Sequence, residues 1–282
     1  MITAMLRCQS STGGHVISYL DTKPTDATRA GTVILLHAFP LDADMWEPQL
    51  AAPAAGWRYV APDLRGFGGS PGPGGDPGAP PSLDDYVDDV LALVDALRVE
   101  TPVVAGLSMG GYAALALVRR APERVRGLVL ADTRADADNP AARAGRQRVI
   151  EALDHGGVRP VVEGLVPRLL GRSTLAARPE IAAQVLALGA RQPIEGVRAA
   201  VRRMMGRPDA TALLEGISSP VLVIVGEEDG ITNPETARTM CGRMPDADMV
   251  VIPGAGHLSN LEQPDEFNDQ LARFLGRRFG HA

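Results

Sequence analysis

Six short apolar runs, separated by stretches of helical period, restrict this chain more than any other feature. They are TVILLH (32–37), WRYVAPD (57–63), PVVAGLS (102–108), VRGLVLAD (125–132), PVLVIVG (220–226) and DMVVIPG (248–254). Runs of this length, rich in β-branched residues and leucine, read as buried strands. A strand that is apolar on both faces must be covered on both. Parallel sheets flanked by helices do this, and parallel neighbours need long crossovers of the kind the intervening segments supply. The pattern predicts an α/β chain with a mostly parallel central sheet.

The intervening segments differ in kind. SLDDYVDDVLALVDALRV begins with Ser82 as a cap and Asp85 completing a capping box, and its apolar residues from Leu83 to Leu97 recur at helical spacing. The preceding SPGPGGDPGAPPS is dense in Pro and Gly and reads as a surface loop. From 133 to 215 no strand-like run occurs. Amphipathic segments follow one another there, with Pro at several starts and Gly at several ends. The chain is therefore expected to divide into a core, 1–132 and 216–282, and a helical cap, 133–215, inserted before the last two strands.

The bulk numbers exclude several classes. A formal charge of −6 argues against a nucleic-acid binder. The charge is uneven: 133–215 holds 13 arginines against nine acidic residues, about +4, which leaves about −10 elsewhere. No stretch of eighteen apolar residues suggests a membrane span. MITAMLRCQSSTGG has neither the basic lead nor the apolar centre of a signal peptide, so a cytoplasmic location is expected. Cys8 and Cys241 match no metal spacing and read as reduced thiols, and the five scattered histidines form no zinc motif. The expectation is a mechanism without metal or cofactor; self-association is left open.

Within VVAGLSMGGYAALAL (103–117) an apolar strand stops at a glycine, a serine follows, and a helical pattern begins at once. Gly106 and Gly110 remove side chains that would collide at so sharp a corner, and the corner presents Ser108 at the carboxyl end of its strand. Met109 begins the helix, so its N–H has no partner within that helix and can donate to an oxyanion. A serine hydroxyl is a weak nucleophile at neutral pH. It needs a histidine base and an acid to orient that base. VIPGAGHLSNLEQPDEF places His257 in a loop after the last strand, and VIVGEEDGITNPE places Asp229 just past the strand before it. Glu227 and Glu228 adjoin Asp229, and Asp132 ends another strand from which an acid could reach.

The order Ser108, Asp229, His257, together with LLHAFPLDADMW and APDLRGFGGS, resembles the α/β-hydrolases of the esterase, lactonase and cofactor-free haloperoxidase group. The resemblance spans nearly the whole length and implies the α/β-hydrolase fold. It also implies that the N–H of Phe39 joins that of Met109 in an oxyanion hole. One position departs from the family, which usually has His-Gly where this chain has His37 and Ala38. His37, Asp63 and Arg65 read as braces for the loops around them.

These residues imply attack by Ser108 on a small-molecule ester or lactone, with His257 neutral as base and activity falling on acidification through roughly pH 6 to 7. Perhydrolysis, enol-lactone cleavage and a non-catalytic ligand-binding role are the rival readings; Phe39, Pro40 and Leu41 resemble the haloperoxidase-like branch. Leu165, Leu169, Leu170, Met204 and Met205 can line a pocket or seat the cap. The arginines of the cap can meet a substrate carboxylate or coat solvated helix faces.

Overall fold

All six apolar runs are strands. In the computed structural model, which describes residues 6–12, 15–22, 30–72 and 80–280, two further strands precede them. β1 (Leu6–Thr12) and β2 (His15–Asp21) form an antiparallel hairpin, and β2 pairs antiparallel with β4 (Trp57–Pro62). β3 (Gly31–Leu36) enters beside β4, and β5 (Val103–Leu107), β6 (Gly127–Ala131), β7 (Val221–Gly226) and β8 (Ala247–Ile252) follow outward in parallel. The eight-stranded order is β1-β2-β4-β3-β5-β6-β7-β8. Every residue of β4, β5, β6 and β7 is buried, as a sheet covered on both faces demands, whereas β8 at the edge is half-exposed.

The covering helices are α1 (Glu47–Ala51), α2 (Asp84–Ala96) and α3 (Met109–Arg120), then α4 (Pro140–Gly156) to α8 after β6, then α9 (Pro234–Cys241), α10 (Ser259–Glu262) and α11 (Pro264–Phe279). The capping box before α2 is present: Asp84 N–H donates to Ser82 Oγ at 3.2 Å, and Ser82 N–H donates to Asp85 Oδ2 at 3.1 Å. α11 buries Phe267, Leu271, Phe274 and Leu275 along one stripe. α3 is different, because every residue from Met109 to Val118 is buried and its small side chains let it lie against the sheet and α2 together. Residues 73–79 of the Pro/Gly-rich loop lie outside the described residues. Among the described residues no helix is long and apolar enough to cross a membrane. Cys241 is a free, half-buried thiol; Cys8 lies on β1.

The stretch between β6 and β7 is helical, with α5 (Val158–Leu169), α6 (Arg172–Ala177), α7 (Pro179–Ala190) and α8 (Ile194–Gly206) following α4. α5 packs on α4 and α7, and α4 on α8. Backbone-to-backbone contacts seat this stretch on the rest. A Cβ on Gly196 would lie 1.8 Å from Gly66 O, and one on Gly256 would lie 2.2 Å from Gly171 N. Polar clamps add to them. Gln192 accepts from Gly68 N–H at 2.9 Å and donates to the buried Asp42 at 2.7 Å, which also receives Arg191.

Candidate active site

The strand-to-helix corner is as tight as its glycines imply. A Cβ on Gly106 would lie 2.2 Å from Gly110 O, and a Cβ on Gly110 would lie 2.1 Å from Leu36 O, so strand, helix and neighbouring strand meet at van der Waals contact. Between them Ser108 adopts φ 54° and ψ −111°, a conformation that costs a non-glycine residue about 1–3 kcal/mol. Its backbone is held there from several sides. Ser108 N–H donates to Ala131 O at 2.9 Å, and Ser108 O accepts from Gly111 N–H, Tyr112 N–H and the Thr133 hydroxyl.

The corner brings the three distant side chains together. His257, in the loop between β8 and α10, places Nε2 2.8 Å from Ser108 Oγ and Nδ1 2.8 Å from Asp229 Oδ2. Asp229 follows β7 closely, and its carboxylate is saturated. Oδ1 accepts from Ile231 N–H at 2.7 Å and Thr232 N–H at 3.0 Å, and Oδ2 accepts from the Thr232 hydroxyl at 2.6 Å. A carboxylate can only accept, so it assigns the ring proton to Nδ1 and leaves Nε2 as an acceptor facing the serine hydroxyl.

Electrostatics agree with that assignment. Burial works against an imidazolium at His257, but the adjacent Asp229 carboxylate outweighs it, and the pKa is raised above the ordinary histidine value. Burial likewise works against charge on Asp229, yet His257 and Thr232 hold its pKa down to about 2. Asp132, the other strand-end acid, does not touch His257. Its Oδ1 accepts from Gly226 N–H at 2.8 Å and its Oδ2 from the Ser259 hydroxyl at 2.5 Å. Burial first, then the neighbouring Asp229, pushes its pKa up to about 8. Asp229 is therefore the carboxylate at Nδ1, and Asp132 ties the start of the Asp229 loop to the end of the His257 loop.

Met109 opens α3 beside the serine, and Phe39 lies half-buried in the loop after β3. Among the described hydrogen bonds, neither backbone N–H has a protein acceptor. The loop is braced by His37, whose Nε2 accepts from Leu64 N–H at 2.9 Å, which leaves Nδ1–H to donate to Ala38 O at 3.0 Å. Burial lowers the His37 pKa, consistent with a neutral ring. The Ala38 methyl is fully buried, and Ala38 N–H points at Met45 Sδ, so the loop accommodates a side chain there. Asp63 accepts from Ala43 N–H and Gly69 N–H, both at 2.9 Å, and Arg65 pairs with Asp89; both residues brace loops.

The arginines of 133–215 divide cleanly. Arg134, Arg146, Arg178, Arg198, Arg203 and Arg207, which are at least half-buried, are each engaged by a carboxylate or by protein oxygens; the others are exposed. Leu169, Leu170 and Met204 are buried in the core, with Leu165 packed against it. Thr232, Ser259 and Glu262, which no sequence motif marks, also belong to the surroundings of His257 and its acids. Their contacts arise through space, and the only local signal is an oxygen-bearing side chain three residues after Asp229 and two and five residues after His257.

Comparison with known proteins places the fold. Over 245 residues the chain is 28% identical to 3-oxoadipate enol-lactonase 2 of Acinetobacter baylyi, covering 87% of this chain and 88% of the relative. The structure of a thermophilic esterase from Thermogutta terrifontis superposes with a TM-score of 0.88 at 35% identity, covering 97% of this chain and 99% of that one. An enol-lactonase from Burkholderia xenovorans gives 0.85 at 26% identity, covering 95% and 99%. The profile of the alpha/beta hydrolase fold matches residues 31–264, and the chain belongs to that family.

Proposed function

We propose that the protein hydrolyses a small carboxylic ester or lactone through an acyl-enzyme on Ser108. The observation that carries this reading is the unbroken relay from Ser108 Oγ through both nitrogens of His257 to Asp229, each step 2.8 Å. His257 Nε2 takes the hydroxyl proton as Oγ attacks the carbonyl carbon. The Phe39 and Met109 amides donate to the oxyanion of the tetrahedral intermediate, and Nε2–H then protonates the departing alkoxide. Water attacks the acyl-enzyme with the same histidine as base, which returns Ser108 and releases the acid. Asp229 orients the ring and stabilises its cation in both halves.

The names carried by the esterase and enol-lactonase relatives support this substrate class. The stretch 133–215 acts as a cap whose at least half-buried arginines are engaged by protein acids and carbonyl oxygens, so those six are not free to meet a substrate carboxylate. A panel of short-chain p-nitrophenyl esters, lactones and enol-lactones, run with wild type and Ser108→Ala, tests the reading. Turnover by wild type alone is expected. Equal rates in both would remove the acyl-enzyme, and acetate-dependent bromination outpacing ester cleavage would move the assignment to perhydrolysis.

A further inference from the structure

Glu262 is wholly buried, and its side chain grips two segments that meet at His257. Oε1 accepts from Leu258 N–H at 3.1 Å, the residue next to the histidine. Oε2 accepts from Gly171 N–H at 2.7 Å, in the turn between α5 and α6. The same two segments are joined again by His257 N–H, which donates to Leu169 O at 3.1 Å, and by the direct packing of Gly256 on Gly171. Arg178 reaches the Glu262 carbonyl oxygen.

Burying a carboxylate is unfavourable unless its hydrogen bonds repay the lost water, and an apolar residue of similar size would pack there without that penalty. Here the two oxygens satisfy two buried backbone donors that no helix or strand provides for. We propose that Glu262 is a positioning residue for His257, its carboxylate locking the histidine loop to the 169–171 turn so that Nε2 is held at the Ser108 hydroxyl. This rests on the reading of His257 as the general base. The titratable groups around the ring are Asp229 from the loop after β7, Asp132 from the end of β6 and Glu262 from α10, with the neutral Ser108 hydroxyl at Nε2. The field of Glu262 adds to those that favour the imidazolium.

The test is Glu262→Gln, which keeps the volume and one acceptor but sets an amide NH2 against one of the two N–H donors. With p-nitrophenyl acetate, kcat is expected to fall roughly ten- to a hundredfold, as misplacement of a reacting group does, with KM changed by less than about threefold. The acidic limb of kcat/KM and the His257 ring titration followed by NMR should both move to lower pH, since a nearby negative charge is gone. Asp265→Asn, a change at an exposed acidic residue of the α11 helix, serves as the unaltered control. Should Glu262→Gln not fold, Gly171→Ala decides instead. Its methyl would lie 2.8 Å from Glu228 Oε2 and 2.9 Å from Gly256 N, displacing the turn while the carboxylate remains, so kcat should fall with the acidic limb in place. A folded variant with unchanged kcat and an unchanged His257 titration overturns the proposal. Ser108→Ala in the same series separates the two ideas. If it retains turnover, the acyl-enzyme reading fails, while the His257 titration still judges Glu262.

Discussion

The Ser259 hydroxyl donates to Asp132 across 2.5 Å, and both residues are wholly buried. With its pKa pushed up to about 8 by burial and by Asp229, Asp132 is largely neutral in the folded protein at neutral pH, whereas it ionises near 4 when unfolded. A raised folded pKa gives stability that is complete below about pH 4 and is lost as pH rises toward 8. Thermal unfolding of wild type between pH 4 and 8 is expected to show this decline, and Asp132→Asn should flatten it. Parallel slopes for the two proteins would contradict the account.

The pH–rate profile follows from the ring that Asp229 holds. His257 must be neutral to act as base, and its raised pKa keeps the proton on to higher pH than an ordinary histidine. The acidic limb of kcat/KM should therefore lie above about pH 6.5, higher than the sequence alone implies. Asp229→Asn should move that limb down and lower kcat by about 10⁴, because the wrong ring nitrogen then carries the proton.

Ser108 is held where a glycine would rest more easily, at φ 54°. Ser108→Ala and Ser108→Gly should both abolish ester turnover, but the glycine variant is expected to be the more stable by about 1 kcal/mol, released backbone strain being the difference. Paired denaturant titrations measure it. Equal stabilities would show the corner to be unstrained.

At the other side of the corner, Gly110→Ala places a methyl 2.1 Å from Leu36 O, a backbone atom of a central strand that cannot swing away. A destabilisation at the upper end of the ~1–3 kcal/mol overpacking range is expected, with loss of activity as Ser108 shifts. Gly164→Ala, an exposed position inside α5 where a methyl meets nothing within 4 Å, is the matched control: it should leave activity unchanged and, by helix propensity, raise stability by about 0.5–1 kcal/mol.

How much of this is legible in the sequence depends on how local each constraint is. β3 to β7 are visible as apolar runs because their burial is imposed residue by residue, and β8 by its Met-Val-Val-Ile run although the edge leaves it half-exposed. The hairpin of β1 and β2 lacks such a run, and LRCQSST gives no signal of pairing with HVISYLD. Ser108 and His257 carry local signatures, the first because two backbones must pass within contact of it. Asp229 is favoured over Asp132 along the chain only by the resemblance to the hydrolase family, since both acids end a strand and both lie between the serine and the histidine; in three dimensions it is the Asp229 carboxylate that reaches Nδ1. The arginine excess of 133–215 shows its meaning only through the acids it meets, among them Asp42, Asp85, Asp136, Asp138 and Asp154. Glu262 lies only five residues from His257, yet its grip on Gly171 depends on a helix end 91 positions away.

The bare main-chain junctions at Gly66–Gly196 and Gly171–Gly256 also govern what recombination can do with this scaffold. A foreign roof grafted between β6 and β7 would inherit its seating only if it carried hydrogen in place of a side chain at both landing points. Chimeras designed by matching helix lengths alone should sit away from the loops that carry Gly66 and Gly256, whereas those that copy the two bare spots should seat on them.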